Sequence, residues 1–262
     1  MSINEYAVRQ ALADRYKDNK IYIYDSLGST NDHAKHLASD GASHGTVVLA
    51  KEQTSGKGRL GRSFFSPKDG IYLSLIIKPD FDLDKSVLVT AAAAVSAAEA
   101  IQEITGYETA IKWVNDVYIG NKKVCGILTE GVTNFTTGQI DSIIVGIGIN
   151  TSSEAFPQDL VDIAGAVKGD FSRSELAAAV ITKTLDLVSD LERRSFIETY
   201  RSKSMVIGKN ITVYKGIYIN DPSEVPSRPA RILDIDENGG LMVLYADGSR
   251  ETLTSGEISI RL

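Results

Sequence analysis

The sequence predicts an α+β fold in which helices pack on a mainly antiparallel, mixed β-sheet, followed by a small C-terminal β-barrel. Three observations predict this class. Residues 86–104 repeat apolar side chains at three- and four-residue spacing, as in a helix packed on a sheet. Residues 110–149 contain four short β-rich segments, with Gly120-Asn121 as a tight turn between two of them, which favours an antiparallel meander over βαβ units. After Gly208 the chain changes to short strands broken by turns, which is typical of a small barrel.

The N-terminal third predicts helices and strands that lead into a glycine-rich stretch. Helix starts are identified from Ser, Thr and Asn caps, and strands from β-branched apolar runs. The predicted elements are a helix at 4–17, a strand at 21–24, a helix capped by Thr30 or Asn31 that ends near Ser39, and strands at 46–51 and 71–77.

The rest of the chain predicts the meander, two more helices and the barrel. Ser172 and Glu175 have capping-box spacing, so a long helix is expected from about Ser174. The other predicted elements are strands at 110–113, 117–119, 124–130 and 140–149, a helical piece at 195–203, and strands at 211–214, 230–235, 241–245, 250–253 and 258–261. We therefore expect two domains, residues 1–204 and residues 205–262.

The composition is that of an ordinary globular protein. The 262 residues are 43% hydrophobic and 24% charged, with a net charge of −6 and no block of like charges, so no broad basic face for duplex nucleic acid is expected. Cys125 is the single cysteine, which excludes an internal disulfide, and the N-terminus lacks the apolar core of a signal peptide. The run of small residues at 90–98 is too short to span a bilayer. A cytoplasmic protein is expected.

A glycine-rich loop, residues 56–62 with the sequence GKGRLGR, is the sharpest local motif. Its G-x-G-x-x-G spacing matches dinucleotide-binding turns, but residues 63–70 show no helical pattern, and a Rossmann site needs a helix there. A P-loop does not fit either, because Lys57 is followed by Gly58 and not by Ser or Thr. Three cations among three glycines suit a flexible loop that folds over a phosphate or carboxylate. A solvated basic turn is the alternative.

A second motif, the KWVND segment at residues 112–116, places cations and an Asn-Asp pair at strand ends. Asn115 and Asp116 offer oxygens that suit magnesium, and Lys112 and Lys123 can neutralise phosphate and carboxylate. A salt-bridged strand edge is the alternative interpretation.

Three further features have a structural interpretation first. The segment 145–150, VGIGIN, is an apolar strand whose two glycines allow close approach of a ligand or plain sheet packing. Residues 29–31, Ser-Thr-Asn, are first a helix cap and second a set of hydrogen-bonding groups for a small polar ring. His33 and His36 share a helical face without a third metal ligand, and Cys125 is expected to pack as a small hydrophobe.

Taken in order and spacing, these motifs resemble the catalytic body of biotin protein ligases, in a short form without an N-terminal DNA-binding domain. The resemblance runs from Ser29 to Asn150 and resumes at residues 256–261. It implies a class II synthetase-like body, an SH3-like C-terminal barrel, and a reaction that activates biotin with ATP as biotinyl-AMP and then transfers biotin to a lysine of a carboxyl carrier protein or domain.

The resemblance also implies the roles of individual residues. The implied catalytic residues are Lys123, Asp116 and Arg59. Those implied to bind biotin are Ser29, Thr30, Asn31, Gln53, Lys57, Gly58, Arg59, Lys123 and Gly126. Those implied to lie near ATP are Arg59, Arg62, Phe64, Lys112, Asn115, Asn150 and Arg261, with Asn115 and Asp116 near a magnesium ion.

The sequence departs from the family pattern in four places. Lys57 and Leu60 stand where many relatives have arginine, Val114 replaces a common proline, and Phe64 replaces a common tryptophan. Lys57 and Leu60 make the loop less strongly cationic than arginines would. Phe64 keeps an aromatic face without an indole N–H.

The expected mechanism has two steps. A biotin carboxylate is ionised at neutral pH, so attack on the α-phosphate needs neutralised charge and in-line placement, which Lys57, Arg59, Arg62, Lys112, Lys123 and magnesium would supply. The acceptor lysine must lose a proton, and Asp116 is the candidate to orient or deprotonate it.

Two alternatives and several partners are part of the prediction. A lipoate or octanoate ligase shares the fold, but its arginine-rich, glycine-triplet signature is absent. A non-catalytic biotin-binding module is the other alternative, and Lys123, Asp116 and Arg59 argue against it. With 28 residues before the first motif and an acidic balance, no DNA and no membrane are expected as partners. The oligomeric state, monomer or homodimer, stays open.

Overall fold

Two β-sheets form the framework of the protein. The computed structural model describes residues 3–81, 85–133, 139–152, 156–214 and 227–254, and the backbone of 257–260. The first sheet has seven strands in the order β1-β2-β3-β7-β6-β5-β4, and the second has five in the order β11-β10-β9-β8-β12. Only β1 and β2 are parallel among the paired strands of the described residues. The predicted α+β class with a mainly antiparallel mixed sheet is confirmed.

The helices are α1 (Glu5–Ala11), α2 (Thr30–Ser39), α3 (Ser86–Thr105), α4 (Arg173–Ser189) and α5 (Ile197–Ser202). The strands of the first sheet are β1 (Ile21–Tyr24), β2 (Thr46–Ala50), β3 (Ile71–Ile77), β4 (Ala110–Lys112), β5 (Asp116–Ile119), β6 (Lys122–Thr133) and β7 (Ile140–Ile149). Those of the second sheet are β8 (Asn210–Tyr214), β9 (Ser227–Ile235), β10 (Leu241–Tyr245), β11 (Arg250–Leu253) and β12 (Glu257–Ile260).

The helix predicted at 4–17 is wrong in its second half. Helix α1 ends at Ala11, because Leu12 is extended with ψ 148° and residues 14–16 form a separate 3₁₀ turn. Leu12 is buried, and the amide of Ala13 donates to Thr182 Oγ1 of α4 at 3.3 Å. A contact across 169 residues therefore ends the helix, and local propensity could not predict it.

Helix α2 is capped by Ser29, the first residue of the predicted Ser-Thr-Asn cap. The narrower prediction that Thr30 or Asn31 caps the helix is wrong. The hydroxyl of Ser29 accepts a hydrogen bond from the amide of Asp32 at 3.4 Å, and the Ser29 backbone is extended. Thr30 and Asn31 consequently lie inside the first turn of α2, with buried side chains. The predicted capping box of α4 is confirmed, since Ser172 Oγ accepts from the amide of Glu175.

Helices cover both faces of the seven-stranded sheet, so all seven residues of β3 are buried. On one face, α3 and α4 pack in a large core that includes Leu73, Leu75 and Val145. On the other face, α2 packs through Ala34 and Ala38 on Ile76 and Ile144. Helix α3 is long and apolar enough to cross a membrane, but 72% of the relevant window is buried inside this core.

The five-stranded sheet is antiparallel throughout its described pairs, in agreement with the predicted small barrel. Its β9–β10 turn, residues 236–240, lies against helix α3 of the large-sheet part, because Gly239 is next to Val87 and Ala91. The two sheets are therefore joined by direct packing and by the chain after α5.

Candidate active site

Three glycines open a cleft on the α2 face of the large sheet. Gly148 of β7 lies opposite Gly126 of β6, and Gly146 lies opposite Ser74 of β3. Residues that alternate along a strand share a face, so Gly146 and Gly148 leave this surface without side chains. A Cβ on Gly146 would collide with Asn31 Oδ1. The close approach that the VGIGIN segment predicted is thus observed, and α2 is one of the elements that approaches.

The first wall of the cleft is a polar chain of hydrogen bonds. Gln53 Oε1 accepts from the amide of Thr30 at 2.8 Å and from its hydroxyl at 3.0 Å. Gln53 Nε2 donates to Ser66 Oγ at 2.9 Å, and the hydroxyl of Ser74 lies 2.8 Å from Thr30 Oγ1. The glutamine amide is therefore held in one orientation, with one N–H left for a ligand.

Asn31 is held from three sides in the same wall. Its Nδ2 donates to Glu130 Oε2 at 2.7 Å and to the carbonyl of Leu128 at 3.3 Å, and its Oδ1 lies 2.6 Å from Ser74 Oγ. Glu130 also pairs with Lys35 at 2.6 Å. Because Asn31 is only 4% exposed, these contacts define which of its atoms can face a bound molecule.

The glycine-rich loop folds back on itself above the cleft. The amide of Gly58 donates to the carbonyl of Arg62 at 2.7 Å, and Lys57 pairs with Ser63 as an isolated bridge. Leu60 at φ 57° and Gly61 at φ 76° make the turn. The next helix or strand after this loop is β3 and not a helix, which agrees with the rejection of a Rossmann site.

Two cations of this loop already have partners. Lys57 Nζ lies 2.7 Å from the carboxylate of Asp32, and this contact raises the pKa of Lys57. Arg59 Nη1 donates to Asn115 Oδ1 at 3.2 Å and so connects the loop to the KWVND segment. The side-chain oxygen of Asn115 therefore accepts a hydrogen bond from Arg59 in this structure.

The second wall is the end of β4, the start of β5 and the facing part of β6. Asn115 Nδ2 donates to the carbonyl of Ile127 at 2.8 Å, which attaches the KWVND segment to β6. Lys123 Nζ lies 2.7 Å from Asp116 Oδ1, an ion pair without hydrogen-bond alignment, since this buried oxygen has no hydrogen-bond partner within the described part of the chain. Lys112, Lys123 and Asp116 thus place both signs of charge at one end of the cleft.

Phe64 lies over the glycine floor. A Cβ on Gly148 would meet its ring at 2.5 Å and a Cβ on Gly126 would meet it at 3.0 Å. The Lys123 ammonium lies 5.9 Å from the ring centroid, and Tyr72 packs edge-on at 6.5 Å. Burial raises the pKa of the Tyr72 phenol, which donates to the carbonyl of Pro67 at 2.8 Å. The aromatic face predicted at Phe64 is therefore part of the cleft.

These walls enclose a cavity of about 360 Å³. The predicted residues that line it are Ser29, Thr30, Asn31, Gln53, Lys57, Gly58, Arg59, Arg62, Phe64, Lys112, Asn115, Asp116, Lys123 and Gly126. Additional lining residues are Ser63, Tyr72, Trp113, Ile127, Leu128, Gly146, Ile147 and Gly148. Tyr72 and the nearby Ser74 were missed as site residues, although two hydroxyls in the otherwise aliphatic strand IYLSLII are a signal for a polar function.

Asn150 is a predicted site residue that is not among the residues lining the cavity. Its backbone amide donates to Val124 O at 2.9 Å and its side-chain Nδ2 donates to Gly165 O at 3.1 Å, while its buried Oδ1 has no hydrogen-bond partner within the described residues. Its contact with ATP stays a prediction. Arg261 lies outside the described residues.

The structural prediction for Cys125 agrees with its environment. Cys125 is buried, and burial raises the pKa of its thiol, so it packs as a small hydrophobe. His33 Nε2 lies 2.8 Å from the Tyr24 hydroxyl. Across the described ranges, no cluster of three or more His, Cys, Asp and Glu side chains could hold a metal ion.

Comparisons with known proteins find two matching family models. The model described as the biotin/lipoate A/B protein ligase family matches residues 24–150, and the biotin protein ligase C-terminal domain matches residues 226–261. The first match contains both walls of the cleft.

Individual relatives agree with these models. The bifunctional ligase/repressor BirA of Bacillus subtilis is 39% identical over 165 residues, which cover 62% of this chain and 50% of that protein. The chain thus spans about half the length of this curated relative. The biotin--[acetyl-CoA-carboxylase] ligase of Mycobacterium tuberculosis is 26% identical over 247 residues, 88% of this chain and 85% of that protein.

Solved structures show the same likeness over nearly the whole chain. The biotin protein ligase from Aquifex aeolicus, in complex with biotin and ATP, superposes with a TM-score of 0.75 at 27% identity, and covers 92% of this chain and 98% of that one.

Proposed function

The chain belongs to the biotin/lipoate A/B protein ligase family and carries its biotin protein ligase C-terminal domain, and from this premise we propose that it is a biotin protein ligase. The proposed reaction joins biotin and ATP to form biotinyl-AMP and pyrophosphate, then transfers the biotinyl group to a lysine of a carboxyl carrier protein or domain. The supporting observation is the cavity itself, with a fixed polar wall at one end and cations at the other.

In the proposed complex, biotin occupies the cavity in one orientation. Its polar ring would lie at the wall of Thr30, Asn31 and Gln53, where donors and acceptors are fixed by the surrounding hydrogen bonds. Its carboxylate would point towards Lys123 and Lys112. The chemistry of the two ends is thus complementary to a molecule that is polar at both ends.

The first step needs no general base. The ionised carboxylate oxygen forms a bond to the α-phosphorus while the bond from that phosphorus to the pyrophosphate oxygen breaks. Charge-assisted contacts from Arg59, Arg62, Lys112 and Lys123 would stabilise the negative charge that develops on the phosphate oxygens. Lys57, which pairs with Asp32 here, would join them only after that ion pair opens.

The residues present suit a magnesium ion that arrives with ATP. Magnesium is commonly held by one or two carboxylates together with substrate phosphates, and Asp116 Oδ1 is a buried carboxylate oxygen that faces the Lys123 ammonium and has no hydrogen-bond partner among the described residues. Asp116 would hold the ion, and Asn115 would contribute only if its oxygen left Arg59. The ion would supply charge neutralisation on the phosphates.

The second step needs a neutral amine. The acceptor ammonium has an ordinary pKa near ~10.4, so it must give up a proton before its nitrogen attacks the acyl carbon and AMP leaves. Asp116 is the proposed group to orient this ammonium or to accept its proton, since its carboxylate lies at the end of the cavity beside Lys123. The neighbouring Lys123 would meanwhile neutralise the acyl oxygen.

Two other functions share parts of this geometry. The family model also covers lipoate ligases, but a dithiolane ring would offer no hydrogen-bonding groups to the polar wall of Thr30, Asn31 and Gln53. A biotin-binding module without turnover would use Lys123 for the biotin carboxylate, but would not need Asp116 for magnesium or for proton transfer. We further propose that the protein works in the cytoplasm, as a monomer or a homodimer, without DNA as a partner.

Exchange of radiolabelled pyrophosphate into ATP tests the proposal directly. Exchange is expected with biotin and magnesium, and not with lipoate or octanoate. Exchange with lipoate alone would contradict the assignment, and tight biotin binding without exchange would indicate a binding module. Transfer to a purified carboxyl carrier domain then tests the second step.

A further inference from the structure

The β9–β10 turn and helix α5 both contact the KWVND segment, at Trp113 and Val114. We call these contacts the joint. The indole Nε1 of Trp113 donates to the carbonyl of Gly239, in the β9–β10 turn, at 2.9 Å. The hydroxyl of Tyr200, on α5, donates to the carbonyl of Val114 at 2.8 Å. Both contacts are buried, and Trp113 is only 4% exposed.

Helix α5 is attached to the second sheet as well. The next residue, Arg201, donates from Nε to the carbonyl of Ile235 at 2.6 Å, at the end of β9. The chain after α5 also pairs with β4, since the amide of Ile111 donates to Lys203 O at 2.7 Å and the amide of Met205 donates to Ile111 O at 3.0 Å. Helix α5, the second sheet and the KWVND segment are therefore mutually connected.

The β9–β10 turn is built so that the Gly239 carbonyl has a defined position. Asp236 Oδ1 accepts from the amides of Asn238 and Gly240, each at 2.8 Å, and the amide of Asp236 donates to Gly240 O at 2.8 Å. Gly239 adopts φ 78°, which L residues rarely adopt. A loss of the Asp236 contacts would release the acceptor of the Trp113 hydrogen bond.

We infer that the β9–β10 turn and helix α5 position the KWVND segment for the proposed ligase reaction, with Tyr200 and Asp236 as positioning residues that act through Trp113 and Val114. Residues 113 and 114 lie between Lys112 and the pair Asn115 and Asp116, whose side chains line the cavity. Neither Tyr200 nor Asp236 lines that cavity. The inference rests on the proposed function and assigns the second sheet a part in placing the cationic end of the site.

Two variants test the inference from separate elements. Tyr200→Phe removes the donor to Val114 O. Asp236→Ala removes the two hydrogen bonds that the Asp236 carboxylate accepts from the amides of Asn238 and Gly240. Each should lower kcat for biotin-dependent pyrophosphate exchange roughly three- to tenfold, the range expected for loss of one buried hydrogen bond. KM for biotin should change less than kcat, because the wall of Thr30 and Gln53 is held by its own hydrogen bonds. The double variant should be less severe than the product of the two, since both act on one segment.

Trp113 supplies a second measurement, since it is the single tryptophan of the chain. Its emission reports the joint without any turnover. Both variants should increase quenching of Trp113 by acrylamide in the absence of substrates.

Two tyrosines serve as matched controls. Tyr245→Phe removes a hydroxyl contact to Glu251 of 2.6 Å inside the second sheet, and Tyr16→Phe removes one to Asp186 of 2.7 Å at α4. Both should leave kcat and Trp113 quenching as in the wild type, even where the melting temperature falls.

The outcomes separate this inference from the proposed function. The positioning role is overturned if Tyr200→Phe and Asp236→Ala both keep the wild-type kcat, or if the control variants lose as much kcat as they do. The ligase assignment would stay intact in either case. If the wild type shows no exchange, the function fails, and unchanged quenching in both joint variants would then overturn the inference on its own.

Discussion

At the scale of single residues, the site depends on side chains whose freedom is removed by their neighbours. Gln53 is oriented by Thr30 and Ser66, and Asn31 by Ser74 and Glu130. An amide held by such contacts presents a defined donor or acceptor to a ligand, and no reorganisation is needed on binding. Lys123 differs, because its partner Asp116 is itself a proposed reactive group.

Lys123→Ala should sharply reduce the rate of adenylate formation. The biotin carboxyl end would lose a charge-assisted contact worth about 1.5 to 3 kcal/mol, and Asp116 would lose its counter-ion. Single-turnover formation of biotinyl-AMP measures the effect. Lys78→Ala, which breaks a comparable surface pair with Asp141, is the control. A wild-type rate in Lys123→Ala would show that Lys123 is only a surface charge.

Gly146→Ala should weaken biotin binding. The new Cβ would collide with Asn31 Oδ1, and Asn31 cannot yield without breaking its contacts to Ser74 and Glu130. Overpacking of this kind costs about 1–3 kcal/mol, measurable as a higher Kd for biotin by calorimetry. Gly131→Ala on β6 is the control, because the nearest atoms to its Cβ belong to the Ile140 side chain, with Cδ1 at 3.0 Å, and not to a residue of the cavity. Equal affinities in the two variants would mean that Asn31 does not contribute to the biotin site.

At the scale of elements, the glycine-rich loop contacts two other parts of the site, helix α2 and the KWVND segment. Lys57 pairs with Asp32 of α2, and Arg59 donates to Asn115. The ion pair is partly exposed, so it contributes little to loop stability. The loop thus remains a candidate lid, whose closure would depend on contacts to the ligand.

Arg59→Gly should still form adenylate but release it faster. The variant lacks the contact to Asn115 and any contact to the ligand's anionic groups, so the closed loop is less favourable. Bound biotinyl-AMP is chased with unlabelled biotin and its dissociation rate is measured. Leu60→Gly is the control, because it adds a glycine to the same loop and retains Arg59.

Protease sensitivity of the loop gives an independent measurement of the same prediction. The wild-type loop should be cleaved more slowly when biotin is present. Equal release rates in Arg59→Gly and the wild type, with cleavage unaffected by biotin, would identify a fixed turn and not a lid.

At the scale of the whole molecule, two units contribute to one site. The large sheet supplies the cavity, and the second sheet contacts the KWVND segment through Gly239. The predicted division into residues 1–204 and 205–262 stays a prediction. Ser204 forms a bridge with Ile111 of β4, so the proposed boundary lies within the contact between the units.

The protein should not bind DNA specifically. Its net charge is −6 at pH 7, and counter-ion release from phosphates requires clustered cations. A gel shift with a defined promoter fragment at physiological salt tests this, with the fragment's scrambled sequence as the control. A sequence-specific complex would contradict the prediction, and would place this chain functionally nearer to relatives described as bifunctional ligase/repressor.

Local patterns in the sequence were sufficient for most elements and for the types of residue in the site. The strands β3 and β7 and the cap of α4 agree with the prediction, because β-branched alternation and a capping hydroxyl act over a few residues. The GKGRLGR and KWVND motifs likewise name their own side chains. Their convergence on one cavity followed only from the resemblance.

Only the tertiary structure decided which of these residues meet. Gly126 lies opposite Gly148 because the register of β6 and β7 places them there, and Phe64 then covers both. Asn150 does not line the cavity, and its backbone amide and Nδ2 donate to the carbonyls of Val124 and Gly165. Trp113 contacts Gly239 across 126 residues of chain. Such contacts depend on strand register and packing between distant segments, which local propensity does not encode.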